Sequence, residues 1–162
     1  MNAPLLEDPL SLTHAEPLAS GSDLDRILPQ VNRFRMAEGI LLSDPKKGVT
    51  VGYRDIRADD WWADDHVPGR PLFPGVLQCE LAAQIASYDM LSNRFDAQTD
   101  SNLFVGLGGL EAVRFRAPVV PGCRLVMAVF LKRARHNLCR YVCQGYVGEE
   151  MVFEGLILGV RF

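Results

Sequence analysis

The chain has 162 residues, which is enough for one domain with a single core and too few for two ordinary domains. Hydrophobic residues make up 48% and charged residues 23%, as in a globular protein rather than a disordered, fibrous or disulfide-rich one. The net charge of -3 argues against nucleic-acid binding. No apolar run is long enough to cross a bilayer, and the acidic N-terminus lacks the features of a secretory signal. We therefore expect a cytoplasmic protein with reduced cysteines.

The N-terminal part of the chain carries weak structural signals. Residues 1–22 are rich in Pro, Ser and Leu without a steady period, which predicts an extended or poorly ordered extension. We expect residues 23–162 to form the folded domain, beginning with a short helical turn at 23–28. Residues 47–56 then alternate apolar and polar side chains, which predicts a half-buried strand.

A proline-rich loop and a long helix follow. Residues 57–74 contain three prolines, whose spacing disfavours both helix and strand. From residue 75 to about residue 94, apolar residues recur at spacings of one to four with few charges between them. An amphipathic surface helix would show a clear polar stripe, so this pattern predicts a helix that is covered on most of its sides.

The remainder of the chain predicts strands with hairpin connections at 135–137 and 148–150. The predicted strands are 103–107, 110–117, 123–134, 138–147 and 151–162. One strand, one buried helix and a run of antiparallel strands indicate an α+β arrangement, in which a curved sheet wraps a single helix.

Two side chains and one glycine are candidates for chemistry. Glu80 lies near the start of the apolar helix, where burial would raise its pKa towards that of a useful acid, although a solvent-facing Glu is the alternative. His66 lies in the loop before the helix, where a surface His is the ordinary case. Gly75 leaves the first backbone N–H groups of the helix open to an oxyanion. A base, an acid and an oxyanion donor suit proton abstraction beside a carbonyl, followed by loss of a hydroxyl.

The stretch HVPGRPLFPGVLQCELAAQ at residues 66–84 resembles the signature of the FabZ/FabA-like beta-hydroxyacyl-acyl carrier protein dehydratases. The block FVGLGGLEAVRFRAPVVPGCRL also resembles a segment of that family. The resemblance implies the hotdog fold, a long central helix wrapped by an antiparallel sheet. It also implies dehydration of 3-hydroxyacyl-acyl carrier protein to the trans-2-enoyl product in fatty-acid synthesis, without a metal or redox cofactor. A Glu at position 80 resembles the FabZ-like branch rather than the isomerising FabA-like branch, which typically has Asp.

The same resemblance implies roles for individual residues. His66 and Glu80 would be catalytic. Because the active site of the family lies between two protomers, His66 of one chain would face Glu80 of its partner in a homodimer, which often assembles further as a trimer of dimers. Gln84, one turn beyond Glu80 on the same helix face, would orient Glu80 or a water. The substrate-binding positions would be Gly75, Gln84, Val67 and Phe73.

An excess of basic residues between positions 111 and 143 favours an acidic partner. Seven Arg and Lys residues stand there against one acidic residue. Acyl carrier proteins are acidic, so a positive patch would steer their docking, although an ordinary solvated sheet face explains the charges equally well. We expect no nucleic-acid or membrane partner. The candidate carrier-docking residues are Arg114, Arg116, Lys132 and Arg133.

Two other functions stay open at this point. A hotdog acyl thioester hydrolase would also use a carboxylate near the central helix, but it would not need the His66 loop. A non-catalytic hotdog subunit that binds acyl chains is the second alternative. Within the dehydratase interpretation, a specialised polyketide or lipid pathway is also open.

Overall fold

The computed structural model of the chain describes residue 6 and residues 8–95 and 103–162. Within these residues, one antiparallel sheet of seven strands, in the spatial order β1-β2-β3-β5-β6-β7-β4, surrounds one long helix. The strands are β1 (Ala19–Ser20), β2 (Gly39–Asp44), β3 (Val49–Ile56), β4 (Val105–Phe115), β5 (Cys123–Arg135), β6 (Leu138–Val147) and β7 (Glu150–Arg161). The helices are α1 (Pro9–Thr13), α2 (Ser22–Asp25) and α3 (Gly75–Asp89), with a 3-10 turn at Asn32–Phe34 and a π-helical turn at Met90–Arg94. The predicted α+β arrangement is confirmed.

The long helix α3 is buried because the sheet curls around it. Nine of its fifteen residues are buried, and they are spread around the helix rather than confined to one stripe. The approach of the sheet is close, since a Cβ added at Gly52 of β3 would lie 2.9 Å from the side chain of Ile85. The predicted helix over 75–94 is confirmed, with its last turn widened into the π-helical turn.

Strand β3 is buried on both faces, whereas its alternating sequence predicts a half-buried strand. Thr50 faces α3 and donates a hydrogen bond to Asp89 Oδ1 at 3.2 Å. The apolar residues of the alternation lie on the other face of the sheet, away from α3. There they form an apolar cluster, the outer cluster, made of Leu41, Val49, Val51, Tyr53, Val126, Ala128 and Phe130.

The N-terminal residues explain how the outer cluster is buried, and they correct the prediction of a poorly ordered extension. Leu6, Leu12 and Ala15 pack against the outer cluster. Strand β1 pairs with β2, and the side chain of Asp8 caps α1 by accepting from the Ser11 N–H at 3.0 Å. Leu6 and Leu12 are therefore part of the packing, whereas Leu10 and Leu18 are exposed. Residues 1–5 and 7 of the predicted extension lie outside the described residues, and the domain boundary after residue 22 stays a prediction.

Strand β4 replaces two predicted strands. The predicted segments 103–107 and 110–117 belong to one strand, whose register against β7 shifts twice. Gly108 is the extra residue at the first shift, and Ala112, with a φ of 48°, lies within the second. Such bulges bend a strand and increase its twist. β4 ends the sheet on one side, and Leu107, Leu110 and Phe115 on it are exposed.

Four further predicted strands are confirmed, and one strand of the structure was not predicted. The strands predicted at 47–56, 123–134, 138–147 and 151–162 are confirmed as β3, β5, β6 and β7. Strand β2 is missing from the predictions, because its sequence GILLSD lacks an alternating pattern. All four cysteines are free. Among the described residues, no helix has the length and apolar content to span a membrane.

Candidate active site

Buried aromatic rings anchor the loop that carries His66. The ring of Trp62 is 1% exposed and meets the ring of Phe73 edge-on, with 5.2 Å between the centroids. The His66 N–H donates to the Trp62 carbonyl at 2.9 Å, and the Phe73 N–H donates to the Val119 carbonyl at 2.8 Å. The loop is therefore tied down on both sides of His66, and the prolines between these points limit its freedom further.

The imidazole of His66 is exposed and makes one defined contact. Its Nδ1 lies 2.8 Å from the carbonyl oxygen of Leu72. A carbonyl oxygen can only accept, so Nδ1 carries a proton in this contact. In the neutral ring, Nε2 then holds the free lone pair and can take up a proton.

A surface cavity of about 520 Å³ brings the His66 loop and the start of α3 together. His66, Phe73 and Gly75 all line it. The first intrahelical bonds run from the Leu77 and Gln78 N–H groups to the Pro74 carbonyl, at 3.0 and 3.2 Å. The amides of the two residues before them have no acceptor within the helix, so the helix start can offer N–H groups to an anion.

Gly75 packs closely against the exposed ring of Phe115. A Cβ at this position would lie 2.7 Å from the ring of Phe115, which also lines the cavity. Any larger residue would have to displace that ring. The glycine therefore keeps the wall of the cavity intact where the helix amides are open.

Glu80 lies one helical turn before its buried partner Gln84. The Gln84 amide nitrogen donates to Glu80 Oε1 and to the Phe34 carbonyl, both at 2.7 Å. Its oxygen accepts from the Met36 and Ala37 N–H groups at 2.8 and 3.0 Å. Four hydrogen bonds fix the orientation of the amide, so Gln84 presents a donor to Glu80.

The environment of Glu80 suits an acid. Its side chain is half-buried, and this burial raises the pKa of the carboxyl above its ordinary value. The hydrogen bond from Gln84 lowers that pKa in part, but burial is the stronger effect. The pKa shift expected from the sequence is confirmed in direction.

The predicted site residues fall into two groups within one chain. His66, Phe73 and Gly75 share the cavity, whereas Glu80 and Gln84 form a separate hydrogen-bonded pair and do not line it. Val67 is half-buried in the loop, also outside the lining of the cavity. Within a single chain, the candidate base and the candidate oxyanion donor thus line one cavity, and the candidate acid lies outside it.

The predicted carrier-docking residues are also divided. Arg114 and Arg116 bind Glu154 at 3.1 and 2.7 Å, and Arg116 lines the cavity. Lys132 and Arg133 lie near the far end of β5. Strand register places Arg133 about five residues along and three strands across from Arg114, on the order of 20 Å away. The four residues do not form one continuous patch within a chain.

Sequence reasoning missed two buried polar residues near the site. Gln78 is 3% exposed and lines the cavity, and its Oε1 has no hydrogen-bond partner among the described residues. Arg54 on β3 is 5% exposed and binds Asp60 in the His66 loop at 2.7 Å. Both are polar residues on mostly apolar elements, and that contrast is the signal that could have found them.

Solved structures identify the class of fold. The dehydratase heterocomplex ApeI:P from Xenorhabdus doucetiae matches with a TM-score of 0.71 and 16% identity, over 86% of this chain and 90% of that one. The E. coli PaaI protein from the phenylacetic acid degradation operon matches with a TM-score of 0.58 and 15% identity, over 75% and 81%. At these identities the similarity concerns the fold alone, and the fold is the predicted hotdog.

The family follows from sequence similarity. The chain belongs to the FabA-like family, whose domain model matches residues 28–155. The 3-hydroxyacyl-[acyl-carrier-protein] dehydratase FabZ of Wolbachia sp. subsp. Brugia malayi is 33% identical over 139 residues, 86% of this chain and 94% of that protein. The FabZ dehydratase of Moorella thermoacetica is 32% identical over 82% of this chain and 89% of that protein.

Proposed function

We propose that the protein is a hydro-lyase that dehydrates 3-hydroxyacyl-acyl carrier protein to trans-2-enoyl-acyl carrier protein in fatty-acid synthesis. Relatives that bear this activity in their names align over more than four-fifths of the chain. The proposal rests mainly on the protonation properties of two side chains. The contact of Nδ1 of His66 leaves Nε2 free to act as a base, and burial raises the pKa of Glu80, which favours its protonated form.

The reaction begins at C2 of the acyl chain. Nε2 of His66 takes the C2 proton, and negative charge moves onto the thioester carbonyl oxygen. The open N–H at Gly75, supported by the dipole of α3, stabilises that charge. Proton removal and charge stabilisation therefore come from the same cavity.

The hydroxyl at C3 leaves with the help of the acid. Glu80 donates its proton to the hydroxyl oxygen as the C3–O bond breaks, so water departs and the C2–C3 double bond forms. Gln84 holds Glu80 Oε1 and leaves Oε2 to carry the proton. A return of the proton from His66 to Glu80 through solvent resets the enzyme.

We further propose that the active site is completed by a second copy of the chain. The cavity holds His66 but not Glu80, so the acid would come from the partner in a two-fold dimer. Edge strand β4 offers a surface for such pairing, because Leu107, Leu110 and Phe115 on it are exposed. Light scattering in solution would distinguish this dimer from a trimer of dimers and from a monomer.

The acidic carrier would approach the cavity beside Arg116. Arg114 and Arg116 share Glu154, so this trio keeps one net positive charge at the rim. Lys132 and Arg133 would contribute a second, distant group of charges. The proposal places the enzyme in the cytoplasm, in keeping with its four free thiols.

The proposal is tested by following the acyl chain of a 3-hydroxyacyl carrier by mass spectrometry. The protein should remove one water, and His66→Ala or Glu80→Gln should each slow this by a factor of about 10² to 10⁴. His136→Ala and Glu149→Gln, at exposed hairpin positions, are matched controls and should keep full activity. Normal turnover in either site variant would contradict the proposal. Release of free carrier thiol would favour the hydrolase, and binding without turnover would favour the non-catalytic subunit.

A further inference from the structure

Arg54 joins three separate segments beneath the His66 loop. Its Nη2 donates to Asp60 Oδ1 at 2.7 Å, and its Nη1 lies 3.3 Å from the Arg35 carbonyl and 3.5 Å from the Met36 carbonyl. The centre of the guanidinium is 5.9 Å from the centroid of the Phe73 ring. A single side chain on β3 thus contacts the segment before β2 and both arms of the loop.

Two backbone hydrogen bonds link Asp60 to His66. The Ala63 N–H donates to the Asp60 carbonyl at 2.9 Å, and the His66 N–H donates to the carbonyl of Trp62, the residue before Ala63. On its other side, Asp60 is held by the Arg57 N–H, which donates to Oδ2 at 3.3 Å. A displacement of Asp60 would therefore be passed along these turns to His66.

The contacts of Arg54 also extend to the segment that holds Gln84, the partner of Glu80. Gln84, which binds Glu80, also binds the N–H groups of Met36 and Ala37. The carbonyl of Met36 is in contact with Arg54. Arg54 therefore fixes the His66 loop to the segment on which the partner of Glu80 is anchored.

Stability alone is a weak reason for this ion pair. The side chains of Arg54 and Asp60 are 7% and 13% exposed, and removing two charges from water can cost as much as their attraction returns. Nε of Arg54 is also buried without a hydrogen-bond partner among the described residues, which adds to the cost. A pair that gives little net stability but fixes geometry is consistent with a role in orienting the loop.

We propose that Arg54 and Asp60 are positioning residues that hold His66 with Nδ1 on the Leu72 carbonyl and Nε2 towards the substrate. This inference rests on the proposed dehydratase function, in which His66 is the base. Neither residue touches the reacting atoms, so both act through the loop. Their loss should reduce the rate of the chemical step more than the binding of the carrier substrate.

The test compares Asp60→Asn with Asp55→Asn. Asp55 lies on the same strand as Arg54 and binds Arg124 through both oxygens, at 2.7 and 3.0 Å. Its Oδ2 also lies 3.7 Å from the Arg57 side chain at the start of the loop, but Asp55→Asn leaves the Arg54–Asp60 pair in place. Asp60→Asn should lower kcat about 10- to 100-fold while KM changes by less than about twofold. Asp55→Asn should keep the wild-type kcat, even where both variants lower Tm. Equal kcat values in the two variants would overturn the inference.

A second measurement does not depend on activity. The chain has three histidines, so the imidazole nitrogens of His66 can be assigned by NMR with His66→Ala as the reference. Wild type and Asp55→Asn should show the Nδ1–H tautomer of His66, and Asp60→Asn should show a mixture of tautomers. An unchanged tautomer in Asp60→Asn would overturn the inference. If the wild type failed to dehydrate its substrate, the proposed function would fall, and this spectrum would still decide whether Asp60 positions His66.

Discussion

The amide nitrogen of Gln84 lies 2.7 Å from Oε1 of Glu80, and the same amide is held by three backbone groups of the segment at 34–37. The position of the acid therefore depends on a residue that is fully buried and satisfied in all its hydrogen bonds. We therefore expect a substitution of Gln84 to change both the reaction rate and its dependence on pH.

Gln84→Leu should shift the alkaline limb of the pH profile. Glu80 must be protonated to act as an acid, so kcat/KM should fall as the pH rises through its pKa. The Gln84 hydrogen bond lowers that pKa, and removing it should move the fall to higher pH. The maximum rate should also drop about tenfold or more because Glu80 is no longer oriented. A limb that moved to lower pH would contradict this role of Gln84.

Glu80→Gln should stabilise the protein increasingly as the pH rises. The folded-state pKa of Glu80 lies above its ordinary value of 4.5, so the folded protein binds this proton more tightly than the unfolded chain. The stability contributed by that proton is fully present below pH 4.5 and is lost as the pH rises through the raised pKa. The Tm of the variant should therefore exceed that of the wild type by an amount that grows above pH 4.5 and then levels off. Glu149→Gln in the exposed hairpin is the control, and a Tm difference that shrank with rising pH would be the opposite of this expectation.

Asp89 at the end of α3 should be a major contributor to stability. It is 1% exposed and accepts hydrogen bonds from Arg94, Tyr141, Thr50 and Asn93. Asp89→Ala leaves these donors without their acceptor and should reduce the free energy of unfolding by about 3 kcal/mol in urea titration. Asp23→Ala on the surface of α2 should cost less than about 0.5 kcal/mol. Similar losses in the two variants would show that the Asp89 network contributes little.

The pKa of Asp89 also predicts an acid limit. Burial would raise this pKa, but the hydrogen bonds from Arg94, Tyr141 and Asn93 outweigh burial and hold it below the ordinary value of 3.8. The contribution of a carboxylate with a lowered folded-state pKa is present above its unfolded value and is lost as the pH falls through the folded-state pKa. The stability difference between wild type and Asp89→Asn should therefore shrink as the pH falls below 3.8, measured by denaturant titration at each pH.

The N-terminal segment should be required to cover the outer cluster. Leu12 packs against this cluster, whereas Leu10 on the same helix is 44% exposed. Leu12→Asp should reduce the free energy of unfolding by about 2 kcal/mol and increase the binding of a hydrophobic dye. Leu10→Asp places the same charge on the solvent side and should change neither quantity, so equal effects would argue against the packing of this segment.

The long helix could be predicted because it depends on a local pattern. Of the predicted site residues, His66, Phe73 and Gly75 line the cavity, whereas Gln78 on the same cavity was not predicted. The motif over 66–84 contains His66, Gly75 and Glu80, which the structure places in a loop, at a helix start and at a half-buried helix position. The burial of both faces of β3 could not be predicted from its sequence. Alternation shows that Val51 and Thr50 point to opposite sides, but it does not show that Leu12 covers the outer one.

Long-range contacts account for the other omissions. Arg54 and Asp60 are six residues apart, and only the fold of the loop shows that they meet. Three of the four hydrogen bonds of Gln84 involve residues about fifty positions earlier, which no local pattern reveals. Strand β2 has the sequence GILLSD, whose apolar residues are consecutive, so it lacks the alternation that marked β3.

The most direct test of the account mixes two inactive variants. If each site combines His66 of one chain with Glu80 of its partner, a heterodimer of His66→Ala and Glu80→Gln contains one intact site and one site with both defects. Random subunit exchange between equal amounts of the two should then recover about one quarter of the wild-type rate of enoyl formation. Heterodimers that form, as seen by mass spectrometry, but recover no activity would contradict a site shared between the two chains.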